Sequence, residues 1–272
     1  MTTTKDYLGK QAGATVLDLY QDCGAVRIRT DPIAKYPAVR LSTDADTGAA
    51  AEAVRTTRIN EDAQGLHVSV KGGTTGGMVV TGNGVVSSGY GSIVVGGRGI
   101  VVQGNSFSAV STGGGRTIVN GVDITDQVNM HQGGQVLTEI VLCYGSSLVL
   151  NGSADIEVEG PVHSVDATIG SGSLHVPGSM DEADIEASSG SVRLGSVRSR
   201  MDIRVSSGSV RVKSYEGGSG RVSASSGSFQ VACSSASSGK LRASVSSGSG
   251  LITGARHLDV KRSVSSGSLR VS

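Results

Sequence analysis

The chain has 272 residues, enough to bury a continuous core, and its 41 glycines lack a Gly-X-Y period, which excludes a collagen-like triple helix. Tryptophan is absent and phenylalanine occurs only twice, so the apolar residues are mainly aliphatic and predict a thin core. The formal net charge is +1, but residues 187–272 carry thirteen lysines and arginines against three acidic residues, a local charge of +10 that leaves −9 on the remainder.

Residues 1–71 are predicted to form a β cap at the N-terminal end of the fold. Four runs in this region alternate apolar and polar residues, which is typical of half-buried strands. These runs are TVLDLY, AVRIRT, AVRLST and GLHVSV. The segment DTGAAAEAVRTTRI fits either a strand or a short helix. A covering region is expected because an uncovered coil would expose strand edges and apolar side chains.

The N-terminus and the cysteines indicate the compartment. No apolar run with the length of an export signal follows the first residues, and no run is long enough to span a membrane. The three cysteines, Cys23, Cys143 and Cys233, are widely spaced and form neither a disulfide framework nor a CxxC metal motif. A soluble cytoplasmic protein with reduced thiols is therefore expected.

Residues 72–135 have a different texture. Very short apolar runs such as MVV, SIVV and GIVV are separated by glycines at intervals of roughly seven to nine residues. Two alternatives fit this pattern: a more tightly wound solenoid region with short strands, or a mobile glycine-rich insertion. The ordered alternative is favoured because the runs are rich in β-branched residues.

Residues 136–272 contain a repeat that ends each time in a serine-rich turn with a glycine. The turn glycines are Gly172, Gly190, Gly208, Gly227, Gly248 and Gly267. Their spacings of 18, 18, 19, 21 and 19 residues indicate one structural unit stacked several times. Each glycine is expected at a tight corner, where a positive φ is often required.

Alternation on both sides of each glycine identifies the unit as two short strands. The second and fourth residues after the glycine are apolar and the third is mostly polar, as in Val210, Arg211 and Val212. About 19 residues suffice for one coil, so the repeat predicts an all-β fold, a single-stranded β-solenoid or β-helix with equivalent side chains above one another. An antiparallel meander explains the alternation equally well, but it gives no reason for the constant period.

The repeats also carry a family resemblance. The runs GAVRIRT, GLHVSVKG and VEGPVHSVDATIGSGSLHV, followed by SSGSVRL, SSGSVRV and SSGSFQV, resemble the bacterial putative-adhesin β-solenoid family, a domain of unknown function common in actinobacteria. The resemblance covers residues 15–71 and 136–272. It implies a right-handed β-solenoid and supplies no catalytic motif. A weaker likeness, in architecture alone, is to bactofilins, solenoids that polymerise end to end.

Candidate sites are few. No phosphate-loop, nucleophile-elbow or metal-ligand spacing occurs, so no catalytic, cofactor-binding or metal-binding residue is predicted. Arg193, Arg204 and Arg211 are predicted to form an outward arginine ladder that could bind an anion or a nucleic-acid backbone. The carboxylates from Asp155 to Asp166 suggest, as a third alternative, a polysaccharide-active β-helix enzyme.

The leading hypothesis is a non-catalytic structural or interaction protein. A rigid β-solenoid would present polar ladders, and a last coil without a cap could associate end to end with the acidic end of another copy. The expected partners are a second copy or another protein, with an anionic polymer as the alternative. No cofactor and no enzymatic activity are expected.

Overall fold

The computed structural model describes residues 2–72 and 135–272, together with the backbone of short strands between them. In residues 2–72 the elements are β1 (Thr3–Leu8), β2 (Val16–Gln21), β3 (Ala25–Asp31), β4 (Ala38–Thr43), α1 (Gly48–Thr56), β5 (Arg58–Asp62) and β6 (Gly65–Val70). The short strands are β7 (Met78–Thr81), β8 (Gly84–Ser87), β9 (Ser92–Gly96), β10 (Gly99–Gln103), β11 (Ala109–Thr112), β12 (Arg116–Val119) and β13 (Val122–Asp123).

The remaining strands follow residue 136 without a helix among them. They are β14 (Leu137–Cys143), β15 (Ser147–Gly152), β16 (Asp155–Glu159), β17 (Ser164–Ile169), β18 (Ser173–Ala187), β19 (Ser191–Val205), β20 (Ser209–Tyr215), β21 (Ser219–Ala224), β22 (Ser228–Cys233), β23 (Gly239–Val245), β24 (Ser249–Thr253), β25 (Leu258–Val264) and β26 (Ser268–Val271). β18 and β19 are long because each continues from one coil into the next.

These strands form two parallel stacks joined by the glycine corners. Stack A holds the strands that precede a corner: β6, β2, β15, β17, the second halves of β18 and β19, β21, β23 and β25. Stack B holds the strands that follow it: β14, β3, β16, the first halves of β18 and β19, β20, β22, β24 and β26.

The register confirms the β-solenoid. Residues pair with their equivalents about 19 positions later, as Arg193 does with Arg211 and Val222 does with Ala243. From β15–β16 to β25–β26 the chain makes about seven consecutive turns. Parallel pairing at this constant offset overturns the antiparallel meander, whose neighbouring strands would pair through a short hairpin. The right hand of the coil stays a prediction.

The interior of the solenoid is thin and aliphatic. Side chains from the inward positions of both stacks meet there, and the largest fully buried ones include Leu17, Leu148, Ile169 and Leu174. Tyr215 and Phe229 are buried as well, so two aromatic rings belong to this core. Equivalent aliphatic residues lie over one another, because the register carries each inward position onto the next.

Helix α1 resolves the ambiguity of the alanine-rich segment. Alanines favour a helix, and Ala51, Ala53 and Val54 are buried where α1 packs against β1, β4 and β6. The helix ends at Thr56, and the backbone N–H of Thr57, its C-cap, donates to the carbonyl of Ala53. The chain then continues as a strand from Arg58. The segment is thus a helix followed by a strand.

The order of the N-terminal coils in space differs from their order in the sequence. β2 and β3 form a coil that stacks directly on β15 and β16. The next coil outward combines β6 with β14, and antiparallel strands β5 and β4 pair with these two. Residues 16–31 are therefore part of the solenoid itself. The role of residues 1–71 as a cap stays a prediction.

The glycine-rich stretch connects β6 with β14 along the chain. Its preceding end, Gly72, lies against Cys23, and beyond it Val136 accepts a hydrogen bond from the N–H of Ala25 at 2.9 Å. Strands β7 to β13 pair antiparallel with their chain neighbours in three small sheets. The residues between them lie outside the described part, so the choice between a tightly wound coil and an insertion, and the bounds 1–71, 72–135 and 136–272, stay predictions.

Candidate functional site

The glycine corners form a single column along one side of the solenoid. The six corner glycines Gly172, Gly190, Gly208, Gly227, Gly248 and Gly267 stack on one another. From Gly190 onward, the serine after each glycine donates its backbone N–H to the glycine carbonyl of the coil before, as Ser209 does to Gly190 at 3.1 Å. Consecutive corners are thereby joined by backbone hydrogen bonds between coils.

The expected reason for glycine at the corners was wrong. None of the six has a positive φ. A Cβ on each would instead overlap a carbonyl oxygen of the preceding corner, as a Cβ on Gly208 would overlap the oxygen of Gly190. Glycine is required because the coils approach closely, not because the turn is left-handed.

The corner column carries a shallow polar groove of about 580 Å³. Four consecutive corners line it: Ser189–Ser191, Ser207–Ser209, Ser226–Ser228 and Ser247–Ser249. The groove therefore offers serine hydroxyls and glycine backbone, with no charged group among its lining residues.

Outward charges on stack B alternate in sign across neighbouring strands. The column B, from the N-terminal strands onward, consists of Asp6, Arg40, Glu139, Arg27, Glu157, His175, Arg193 and Arg211. Asp6 accepts from Nε of Arg40 at 2.7 Å, and the Arg40 guanidinium lowers the pKa of the Asp6 carboxyl. The alternation stops at Arg193 and Arg211, which are direct neighbours.

The three arginines predicted as a ladder do not share one face. Arg193 and Arg211 are exposed Cα partners on stack B. Arg204 lies on stack A, beyond the corner, because it precedes Gly208 while Arg211 follows it. Its guanidinium contacts Asp202 at 2.9 Å, Glu186 at 3.0 Å and Asp184 at 3.4 Å. The structure thus brings two of the three together and neutralises the third.

The carboxylates considered for hydrolysis are also divided. Asp155, Glu157 and Glu159 lie on β16 in stack B, whereas Asp166 lies on β17 in stack A. Asp155 accepts from the backbone N–H and the hydroxyl of Ser173. The structure therefore does not assemble these groups into one pair.

A second outward column, on stack A, separates its charges into two blocks. The column A consists of Asp166, Asp184, Asp202, Arg221, Arg242 and Lys261, on β17, β18, β19, β21, β23 and β25. Three aspartates thus follow one another, and three cations follow them. Sequence reasoning missed this column, although each member stands six residues before a corner glycine.

The acidic half of column A stores electrostatic repulsion. Burial raises the pKa of the Asp184 carboxyl, and the neighbouring Asp202 and Asp166 charges raise it further. Asp202 is itself buried, and its Oδ1 has no hydrogen-bond partner among the described residues. Arg204 is the cation that offsets part of this repulsion. Like charges on directly opposed strands lower stability.

The basic half of column A is exposed. Arg221, Arg242 and Lys261 are all at the surface, and none of them forms a salt bridge with the residues that the structure describes. Lys240 lies beside Arg242 on the same outward face, two residues before it. This half is the largest set of neighbouring cations with outward positions on stack A.

No metal site or membrane span accompanies these columns in the described part of the chain. No group of three or more histidine, cysteine, aspartate or glutamate side chains there is arranged to hold a metal ion. Within the same residues, no helix is long and apolar enough to cross a membrane. The candidate sites are therefore the charge columns and the corner groove.

Comparison with known proteins connects this architecture to a family. A family model described as Toastrack DUF4097 matches residues 102–272. No functionally curated protein matches the chain.

Two solved structures share the fold over nearly their whole length. A protein from Bacteroides fragilis described as a putative adhesin has 13% identity and a TM-score of 0.50, with 100% of this chain and 97% of that one covered. A protein from Parabacteroides distasonis described as a putative lipid binding protein has 14% identity and a TM-score of 0.50, with 99% and 97% covered. At these identities the likeness shows the fold alone.

Proposed function

The chain belongs to the Toastrack DUF4097 family, and we propose on that basis that it is a non-catalytic interaction scaffold, a rigid β-solenoid that presents charged columns to a protein partner. The resemblance to β-solenoids described as putative adhesins is confirmed at the level of family and fold. The names of the two solved structures, an adhesin and a lipid binding protein, are in keeping with a binding role.

One observation carries the proposal: the charges of column A are segregated where they could have been mixed. Asp184 has an aspartate on both neighbouring strands, and Arg242 has a cation on both. Such an arrangement costs stability in the isolated chain, whereas column B shows that the same fold accommodates alternating charges. A partner with complementary charges would offset this loss of stability on binding, so the segregated charges are suited to recognising such a partner.

The outward faces are better interaction surfaces than the end of the stack. End-to-end association through β25 and β26 was expected, and Val260 and Leu269 in these strands are only partly buried. However, Arg262 stands at the register position that buried Ala243 holds on the neighbouring strand. An inward-register cation opposes edge-to-edge extension of a sheet. End-to-end association therefore stays a prediction, and the position of Arg262 argues against it.

The test combines a binding measurement with an activity measurement. Light scattering on the purified chain at about 0.02 M and about 0.5 M salt compares conditions in which surface charges act over roughly 20 Å and 4 Å. We expect association with itself or with an added protein partner only at low salt, and no turnover of a panel of glycans. Turnover of any glycan would contradict the non-catalytic role.

A second candidate function is the binding of an anionic polymer. Arg193 and Arg211 favour it, because they are exposed neighbours on stack B and neither contacts a carboxylate among the described residues. Replacing both with serine should reduce retention on heparin, since each removes one cation from the contact. Arg204→Ser is the matched control, because its guanidinium is already held by carboxylates. Equal loss in the control would argue against a site at Arg193 and Arg211.

A further inference from the structure

We propose that two copies of this chain pair face to face through stack A, antiparallel, with column A of one copy lying on column A of the other. This inference rests on the proposed role as an interaction scaffold and names its partner and its surface. It uses the lateral face of the solenoid and not its end. Each aspartate of one copy then faces a cation of the second copy.

Column A is self-complementary. Its six members occupy consecutive strands of stack A, which are evenly spaced at about 4.8 Å. A two-fold axis along the strand direction, between the strands of Asp202 and Arg221, reverses the order of the strands in the second copy. The facing pairs, first copy with second, are Asp166 with Lys261, Asp184 with Arg242, and Asp202 with Arg221. By symmetry each pair occurs twice.

The columns that flank column A fit the same arrangement. On one side of column A lie Ser164, Glu182, Arg200, Ser219, Lys240 and Asp259, in the same order of strands. The two-fold axis places Glu182 opposite Lys240 and leaves the other charges opposite serine. On the other side lie Thr168, Glu186, Arg204, Ser223, Ser244 and Ser263. There the two charged residues face serines, so no like charges meet.

Other registers of the two copies are unfavourable. A shift by one strand would place Asp202 or Arg221 of one copy opposite the same residue of the other. A parallel pairing about an axis along the solenoid would place all six members opposite themselves. Because like charges facing each other oppose association, the column selects the antiparallel, unshifted register. Specificity therefore comes from the order of the charges along the column.

The isolated chain balances the charges of column A only in part, through the contacts of Arg204 with Asp202 and Asp184. Burial and the neighbouring aspartates raise the pKa of Asp184, and the exposed cations of the basic half have no acidic contact among the described residues. Cations of a second copy would reduce the repulsion among the aspartates, and its aspartates would balance the charge of the exposed cations. The serines and threonine of the flanking columns are short, which lets the two faces approach.

The size of the surface indicates a weak, salt-sensitive dimer. Six strands at about 4.8 Å and about 20 Å of strand length give roughly 600 Å² per copy, at the low end of specific interfaces. Exposed ion pairs contribute little individually and are screened by salt. Association is therefore expected at low ionic strength and lost at high ionic strength.

The decisive experiment exchanges the charges between two variants. One variant carries D166K and D184R, and the other carries R242D and K261D. Each alone brings like charges together in its own pairing, so sedimentation equilibrium at low salt should show a dissociation constant about a hundredfold weaker than that of the native chain. A mixture of the two restores every facing pair with opposite signs and should form a heterodimer.

The control lies on the other face. R193D with R211D changes the same number of charges on stack B and should leave dimerisation unchanged. If a charge-exchanged variant fails to fold, as judged by circular dichroism, E182K and K240E repeat the design at exposed positions of the flanking column. Each of these should weaken the dimer about tenfold, and their mixture should restore it.

The outcomes separate this inference from the proposed function. Restoration in the mixture supports the antiparallel pairing. A monomeric native chain at low salt and about millimolar concentration overturns it, and so does a mixture that stays monomeric. Heparin binding lost in R242D with K261D, without dimerisation of the native chain, would instead assign the basic half to an anionic polymer. The glycan assay tests the non-catalytic role independently of all three results.

Discussion

The two outward faces of the solenoid arrange the same kinds of side chain in opposite ways. Column B alternates acidic and basic residues from Asp6 to His175, so each charge finds its counterpart on the next strand. Column A places three aspartates together and three cations together. The comparison teaches that alternating charges balance one another within their own column, whereas segregated charges need counterparts outside it, such as Arg204 for Asp184 and Asp202.

The largest expected effect comes from breaking the corner that both faces share. Gly208→Val places a side chain against the carbonyl of Gly190, and because the coils cannot separate without losing their hydrogen bonds, we expect a loss of about 3 kcal/mol or more in the free energy of unfolding. Urea unfolding followed by circular dichroism measures it. The control is Ser207→Val at the exposed neighbour. Equal stabilities of the two variants would show that close stacking at the corner is not the constraint.

A smaller effect is expected from the same substitution on the two faces. Arg204→Ser removes the cation held by three carboxylates and deprives buried Asp202 of its ion pair with Arg204, so we expect a loss of about 1 to 2 kcal/mol. Arg193→Ser removes an exposed arginine that stands next to another arginine, and its effect should be within about 0.5 kcal/mol of zero. Thermal unfolding of both variants checks the difference, which should vanish if Arg204 were merely a solvated surface residue.

The smallest effect has opposite signs on the two faces. Asp184→Asn removes the middle charge of three aspartates and should stabilise the chain at pH 7 by about 0.5 kcal/mol. Glu157→Gln removes an acid between Arg27 and His175 and should destabilise it by a similar amount. Urea unfolding of both variants measures this. Destabilisation by both substitutions would remove the distinction between the faces.

The pH dependence sharpens this prediction. The pKa of Asp184 is raised in the folded chain, so its ionisation weakens the fold as the pH rises from the unfolded value near 4 through the folded one. The pKa of Asp6 is lowered, so its stabilising contribution is present above the unfolded value and is lost as the pH falls through the folded one. Asp184→Asn should therefore raise the free energy of unfolding only above about pH 4. Asp6→Asn should lower it, and this effect too should develop as the pH rises through the carboxyl range. Unfolding curves between about pH 3 and pH 7 test both, and a pH-independent difference would contradict the assignment.

Much of the fold and part of the candidate site could be predicted from the repeat. The spacing of the glycines from Gly172 to Gly267 predicted the stacked coils, and it also predicted that Arg193 and Arg211 would be neighbours. Column A was equally accessible, because its members recur at the same spacings six residues before each glycine. The periodicity of the charged residues therefore predicts which charges become neighbours on the outward faces, as the periodicity of the apolar residues predicts the core.

Other features could not be predicted from local patterns. Arg204 was predicted to extend the arginine ladder from the neighbouring strand, but the corner at Gly208 places it on the other face. β6 and β14 belong to one coil, stacked on β2 and β3, although more than 60 residues separate them in the sequence. Which strands share a coil depends on which strand edge is free when the coils assemble. The alternation of apolar and polar residues within one strand does not indicate it.

By itself the sequence determined the repeating unit, its two strands, its corners and the side chains that lie above one another, because a constant period carries every position onto its equivalent in the next coil. Only the tertiary structure decided the spatial order of the N-terminal coils, the face on which each charge lies and the reason for glycine at the corners. These depend on contacts between coils, where backbones approach within van der Waals distance and where distant strands compete for the same edge.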